Sequence, residues 1–581
     1  MFGRGRVGGP AKPFTWGHVT ESGVASMRQS QARMSGRETR VWAGLAAIGC
    51  ALIAAVAGAA PAAARVLHVG RYNGSTGSYK TIQQAVNAAS PGDWILIGPG
   101  DYKDPLTTVP TGPKGDDRAG AAVLLTKPGV HIRGMDRNGV VLDGTKPGAP
   151  QCSSAAADQN LGPLDEHGVP TGRNGLIVFK AEGTSVENLT ACNFLNGSHG
   201  GGDEIWFDGG GASGTQQLGS WRGAYLSATS TYYAGKTSPF VSYGIYTSNT
   251  FGPGLFTQVY ANNGADSAFY IGACPDCNTI LDHAHAQNSD LGYSGTNSGG
   301  HLIVQNSEFD NNMSGFVTNS QNNDDAPSPQ DGACPKDGTG PTGTHSCWLF
   351  TKNSVHDNNN PNVPTTGTAE PAPTGSGVVI AGGRNDTVSG NKIYNNGAWG
   401  VLLAPYPATE EPPAVAHCEG GVGTTFEGKA VCYFDDWGNE VTNNTLTNNG
   451  FFGNQANVDL AELSSLENPG NCWHGNVNTA GAVTSEPKAI QSPPHSECGI
   501  PDSGESLASP LGAQVACDTG FFGECPSTAV ANYPKKTKVV LQPMPSQTTM
   551  PNPCAGVPRN TWCPRNPLKP PPYPVPGPTA G

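Results

Sequence analysis

Charge is scarce in this chain. Of its 581 residues only 14% are Asp, Glu, Lys or Arg, and acid outnumbers base, 46 to 33, for a formal net charge of −13. An acidic surface repels phosphate backbones, so the composition argues against a nucleic-acid partner. Long apolar runs are scarce as well. Beyond the run from Val41 to Ala60, no stretch is long and apolar enough to span a membrane. Cys/His clusters with zinc spacing are missing too. Abundance lies elsewhere: 80 Gly and 49 Pro make up about 22% of the chain. That is above the roughly 12% average and below the ~25–30% of disordered segments, so a core is expected, interrupted by many turns.

The apolar run belongs to a leader. Arg33, Arg37 and Arg40 precede it, and Pro61-Ala62-Ala63-Ala64 follows with small residues suited to cleavage. This pattern predicts a secretory signal with its start at Met34 and a mature chain from near Arg65; a retained membrane anchor is the competing reading. Residues 1–64 are therefore set aside. The leader holds seven basic and two acidic residues, so the mature chain keeps 26 and 44 and a net charge of −18. Cysteine falls from 15 to 14 with the loss of Cys50, and an even number in an exported chain implies disulfides. Sequence does not fix their connectivity. Pairing of neighbours would give Cys152–Cys192, Cys274–Cys277, Cys334–Cys347, Cys418–Cys432, Cys472–Cys498, Cys517–Cys525 and Cys554–Cys563. In Cys274-Pro-Asp-Cys277 a turn-closing disulfide outweighs a redox reading, because that chemistry needs a helix N-terminus.

A short helix is predicted at Thr81–Ala89, with Ile82, Ala85, Val86 and Ala89 on one face and Thr81 with Gln84 as a capping box. It suits the cover that the open end of a solenoid needs. A template then recurs: apolar, x, turn, x, x, apolar, x, Asn, Asn. Val304–Asn312 is its clearest copy, with Val388–Asn396 and Val441–Asn449 close behind. Leu281 precedes Val304 by 23 residues and follows Leu255 by 26, a period that marks stacked coils. The apolar positions point inward; Asn at the corners tolerates left-handed backbone and can stack into ladders.

A second set of strands is led by Gly, at Gly244, Gly292, Gly315, Gly377 and Gly400, with Ala268 as a variant. With "YKTIQQAVNAASPGDWILIGPGDY" before them, these repeats from Tyr79 to about Asn454 resemble the right-handed parallel β-helix repeat proteins of the pectate-lyase-like superfamily. The expected fold is all-β: a right-handed parallel β-helix over residues 65–455, with long inserted loops. A Cys/Pro-rich region (456–566) and a Pro-rich tail (567–581) follow. The resemblance implies polysaccharide chemistry in a groove floored by one strand column, since its members are mostly lyases, hydrolases, esterases and epimerases.

The residues themselves supply less. The column pointing outward reads Tyr246, Tyr270, Ser294, Val317, Val379 and Leu402, with no carboxylate, Lys or Arg. Calcium-dependent lyases need several acidic oxygens and glycosidases two carboxylates. Asp208, beside Trp206, is a candidate to extend the column. Asp324 with Asp325 and Asp435 with Asp436 border insertions, where paired carboxylates suit calcium or acid/base work, or a solvated turn. Tyr246, Tyr270 and Trp206 are candidates for stacking on sugars. Signatures of pectate lyase, polygalacturonase, pectin methylesterase and alginate epimerase are incomplete, and no cofactor other than calcium is suggested. Two readings follow. One is a secreted, monomeric protein that engages polysaccharide, as a lyase or hydrolase relative or as a binder. The other is a non-catalytic structural or adhesive component of the cell envelope or wall.

Overall fold

The computed structural model describes residues 64–565 except 112–117, 211–216, 238, 321–346, 367–368, 370–371, 409–417, 419–420, 427, 465–467, 503 and 520–531. The expected leader and Pro-rich tail lie outside the described residues, as do Asp324, Asp325, Cys334 and Cys525.

The chain is a parallel β-helix. The Gly-led strands form an eleven-stranded sheet whose neighbours in space are successive in sequence, from Gly120–Leu125 through Tyr243–Ser248, Ser267–Gly272 and Leu291–Thr296 to Val458–Glu462 and Ser485–Glu486. Only a coil that returns once per repeat gives that order. The intervening strands form a second, nineteen-stranded parallel sheet that wraps the remaining sides. In Gly254–Asn262 and Thr279–Gln287 one strand spans both sides, bending at Gln258 and His283, whose φ angles are +55° and +51°. Later coils split it, as in Leu302–Gln305 and Glu308–Asp310, with Asn306 at φ +51° between them. One left-handed residue per coil makes this corner, which is why Asn and Gly recur there.

The Asn-Asn pairs divide the work of the next corner. The first member takes the left-handed bend: Asn311, Asn395 and Asn448 have φ of +56°, +56° and +52°. The second turns its amide along the solenoid axis. Asn312 Nδ2 donates to Asn358 Oδ1 at 3.1 Å, Asn358 to Asn396 at 3.2 Å and Asn396 to Asn449 at 3.2 Å. A second ladder joins Asn353, Asn391, Asn444, Asn476 and Gln491 at 2.9–3.1 Å. The same amides bind backbone, as Asn358 Nδ2 does at Phe309 O (3.0 Å), so buried polar groups are satisfied in both directions. Between the sheets lies one continuous apolar core that includes Leu281, Val304, Phe309, Phe316, Phe350 and Trp473.

Three boundaries differ from the sequence reading. Leu281 pairs with Phe256, not Leu255, and it is Phe256 that joins the core. Two adjacent apolar residues hid that register. The solenoid also continues past residue 455: Val458–Glu462, Cys472–His474, Val477–Asn478 and Ser485–Glu486 keep parallel register. There Trp473-His-Gly475-Asn476 retains the first half of the template, while Val477 is exposed and no second Asn pair follows. Thirdly, the C-terminal region does more than close the last coil. Residues 532–565 run back along the solenoid as an extended strap. Val540 N donates to Asn362 O (3.1 Å), Gln542 N to Asn263 Oδ1 (3.1 Å), Gln547 N to Asn138 Oδ1 (2.9 Å) and Met550 N to Asn188 Oδ1 (2.8 Å). Trp562 ends the run against His68 and Tyr72 in the first coil, with ring centroids 4.5 and 5.6 Å away.

Helix Ile82–Ala88 forms where expected, with Thr81 Oγ1 accepting from Gln84 N at 3.3 Å. Its buried face, Ile82, Ala85 and Val86, belongs to the core. Among the described residues five disulfides join sequence neighbours: Cys152–Cys192, Cys274–Cys277, Cys418–Cys432, Cys472–Cys498 and Cys554–Cys563. Cys347 and Cys517 are also disulfide-bonded. Among the described residues no helix is long and apolar enough to cross a membrane.

Candidate aromatic and acidic site on the eleven-stranded sheet

The outward column is in the register read from sequence. Trp206, Tyr246, Tyr270, Ser294, Val317, Val379, Leu402 and Ala461 stack coil on coil. In its first half Trp206 and Tyr246 are partly exposed, whereas Tyr270 and Ser294 are buried. Val317, Val379, Leu402 and Ala461 are buried in one cluster with Trp399, Phe452 and Leu463, on which helix Pro510–Thr519 lays Leu511 and Val515. That half carries no charge because it is the dock for the C-terminal segment. It is not a groove floor.

The first half is aromatic. Trp206 stacks on Tyr246 with centroids 5.0 Å apart, Tyr243 stacks on Tyr246 at 4.7 Å, and Tyr270 meets Tyr246 edge-on at 4.8 Å. Trp206 Nε1 donates to Ser248 Oγ at 3.1 Å, which fixes the indole plane. Arg118 lies over the Trp206 ring, 5.2 Å from its centroid, and its Nη1 donates to Asp208 Oδ2 at 2.7 Å.

Asp208 is not part of the Tyr246 column. It pairs with Ser248 and occupies the parallel outward column, because Trp206 already fills the position opposite Tyr246. Its carboxylate is fully buried. Burial raises its pKa, while the adjacent Arg118 opposes the rise. A calcium ion at Asp208 would have to displace that guanidinium.

Sequence reasoning missed Asp203, Tyr243, Asp266 and Arg118. Strict alternation from Trp206 turns Asp203 inward. Here Glu204 and Ile205 both face inward: Glu204 Oε1 accepts from Phe194 N at 3.2 Å, and Ile205 joins the core. Asp203 is thereby paired with Tyr243 on the outer side. Burial lifts its pKa to about 7; Asp208 and Asp266 add to the rise and Arg118 opposes it. Tyr243 Oη donates to Asp266 Oδ2 at 3.3 Å, and burial followed by that carboxylate holds its phenol well above the usual range. The local signal was the repeated break in alternation, since Gly244 and Ala268 occupy the extra inward position in the next coils.

Asp435 and Asp436 lie elsewhere, buried at 5% and 0% exposure. Ser464 Oγ donates to Asp435 Oδ2 (3.1 Å), and Asn471 Nδ2 bridges Asp436 Oδ2 (3.2 Å) and Glu462 Oε1 (2.9 Å). Burial, with Asp435 and Glu462 adding to it, pushes Asp436 well above the carboxylate range. The pair is an interior cluster at the end of an Asn ladder rather than a solvated turn. It does not share the aromatic face.

No family model matches this chain, and no curated protein does. Among solved structures it is similar to the A-module of the Azotobacter vinelandii mannuronan C-5 epimerase AlgE4, at 13% identity over 69% of this chain and 90% of that one, with TM-score 0.39. An alginate lyase from Paenibacillus sp. str. FPU-7 matches at 13% identity over 72% and 97%, with TM-score 0.29. The tailspike protein of E. coli bacteriophage HK620, in complex with pentasaccharide, matches at 11% over 70% and 60%, with TM-score 0.34. The β-helix assignment rests on the strand register itself.

Proposed function

We propose that this is a secreted protein that binds polysaccharide at the partly exposed aromatic patch around Trp206, Tyr243 and Tyr246 on the eleven-stranded sheet. The observation that carries the reading is the contiguous run of Tyr243, Tyr246, Tyr270 and Trp206 beside Asp203, Asp208 and Arg118. Aromatic faces fixed by their neighbours stack on the apolar faces of sugar rings, and buried carboxylates beside them fix hydroxyls. Asp203, half protonated near pH 7, has the ionisation a general acid or base needs, and Tyr243 supplies a second proton-bearing group next to it. Asp203 is therefore the residue on which a lyase, hydrolase or epimerase activity would depend.

The test is a binding and product screen of the mature protein on acidic and neutral polysaccharides, with and without calcium. Retention of at least one polymer, lost in Trp206→Ala and Tyr246→Ala but kept in Trp562→Ala, is expected. Absence of retention and of any unsaturated or reducing-end product across the panel would overturn the proposal. The envelope-rod reading is supported by the apolar cover over the other half of the sheet. It predicts that the protein fractionates with the cell wall and shows no polymer retention.

A further inference from the structure

On the far side of the solenoid, away from the aromatic face, the second sheet gathers two imidazoles and two carboxylates. His285 and Glu308 are register partners, as are Gln287 with Asp310 and Asp310 with His356, so three successive coils contribute. His285 Nε2 is 2.7 Å from Asp310 Oδ1 and 3.8 Å from Glu308 Oε2, and His356 Nε2 is 3.1 Å from Glu308 Oε1. We propose that His285, Glu308 and Asp310 bind a zinc-class divalent cation, with His356 positioning Glu308.

The distances are those of a ligand set. Three protein donors with one open position suit zinc, and donors at the roughly 2.0–2.2 Å of zinc–nitrogen and zinc–oxygen bonds lie about 3.4 Å from one another at tetrahedral corners. The edges of 2.7 and 3.8 Å from His285 bracket that separation, and the three donor atoms lie within 4.8 Å of one another. Two other His/Cys/Asp/Glu clusters of similar tightness exist among the described residues, and both use sulfurs already tied up in the Cys152–Cys192 and Cys472–Cys498 disulfides.

The supporting groups are those that metal-bound histidine and carboxylate require. His356 holds Glu308 in place, with its Nε2 facing Glu308 Oε1 at 3.1 Å and its Nδ1 facing Asp357 Oδ2 at 2.8 Å. Tyr394 stacks on the His356 ring at 4.5 Å, with planes 10° apart, and Tyr260 meets the His285 ring edge-on at 5.4 Å. Gln287 Nε2 donates to Asp310 Oδ2 at 2.8 Å and its Oε1 accepts from Tyr260 Oη at 3.1 Å, so Oδ1 is the oxygen turned toward His285. Access is open, because the Glu308 and His285 side chains are 47% and 33% exposed while Asp310 is at 6%. An imidazole in the donor set favours zinc, nickel or copper over calcium, which prefers an all-oxygen shell. Such an ion would tie two successive coils together, and His356 the third, where the register partners Glu308 and Ser354 are 46 positions apart in the chain.

The mature protein, stripped with chelator and dialysed, is titrated with zinc chloride by calorimetry. Its metal content is read by mass spectrometry and its cobalt complex by visible absorption. One zinc per chain and a tetrahedral cobalt spectrum are expected. His285→Ala and Asp310→Asn should weaken zinc binding by about 100-fold or more, and His356→Ala, a positioning change, by about 10–100-fold. His301→Ala, at a separate exposed His–Asp pair, should bind as wild type. Zinc should also raise the melting temperature of wild type but not of His285→Ala. Should a ligand variant fail to fold, His356→Ala alone decides. Unchanged affinity in the ligand variants, or in His356→Ala, overturns the proposal, and so does calcium binding as tightly as zinc.

Discussion

Asn391 Nδ2 donates to Asn444 Oδ1 at 2.9 Å, a buried bond between residues 53 apart in the chain. The Asn391 carbonyl oxygen of the same side chain accepts from Asn353 N at 2.9 Å and Asn353 Nδ2 at 3.1 Å. Replacing Asn391 with Ala therefore strands donors on one coil and an acceptor on the next, each at about 1–3 kcal/mol. Asn391→Ala is expected to lose about 3 kcal/mol or more in urea denaturation. Asn395→Gly, four residues on at a left-handed corner, should change stability by well under 1 kcal/mol, because Gly tolerates φ of +56°. Equal losses in the two variants would show that the Asn positions do not divide the work as described.

That contrast also marks what sequence could reveal. Template, corners and the Tyr246–Leu402 column follow from a period-two pattern repeated in every coil, so single residues read correctly from one coil to the next. Asp203 was invisible because one extra inward residue, Glu204, reverses alternation for everything before it. The cover on Val317, Val379 and Leu402 was equally invisible. Leu511 and Val515 reach it from more than a hundred residues away, a contact with no local signal. The zinc-class cluster escaped for a related reason: its four side chains are spread over 72 residues, and only the coil register brings them together.

The strap should be severable without unfolding the solenoid. Arg133 joins the two: its Nη1 donates to Ala555 O at 2.6 Å, and its Nε to buried Glu187 Oε2 at 2.6 Å. Arg222 also contacts Glu187, so loss of Arg133 leaves that carboxylate partly compensated. Trp562→Ala removes the far anchor, a side chain 3% exposed, without touching the ion pairs. It is expected to raise hydrogen exchange and protease cleavage within 540–565 while the Asn-ladder coils keep their protection. Cooperative loss of protection in both would mean that strap and solenoid fold as one unit.

Two buried groups set opposing pH slopes. Asp203 titrates at about 7 when folded and near 3.8 when not, so the unfolded chain binds fewer protons between those values. Stability falls as pH rises through that window and levels off above it, by about 4 kcal/mol at 1.36 kcal/mol per unit. His131 is pulled down to about 4 from 6.5, mainly by burial. The unfolded chain binds more protons there, so stability present above pH 6.5 is lost as pH falls to about 4, by about 3 kcal/mol. Relative to wild type, Asp203→Asn should therefore make the slope of stability against pH more positive between about 4 and 7, and His131→Gln should make it more negative between about 4 and 6.5. Urea midpoints measured across that range check both signs. Parallel profiles for the two variants would contradict the assignment.

Arg118 and Asp208 make a last test, one that separates stability from binding. Asp208 is fully buried, and the Arg118 side chain is 19% exposed. Arg118→Ala leaves a carboxylate without its cation inside the protein, a change worth about 3–5 kcal/mol when the charge is retained. The loss should grow as pH rises, because Asp208 can escape it at low pH by taking a proton. Arg118→Ala combined with Asp208→Asn removes the stranded charge, so the double variant should regain most of the stability and lose the steep pH dependence. Polysaccharide retention should stay impaired in the double variant, since the guanidinium over Trp206 is gone in both. Full retention in the double variant would confine the pair to a structural role and leave the aromatic rings as the binding surface.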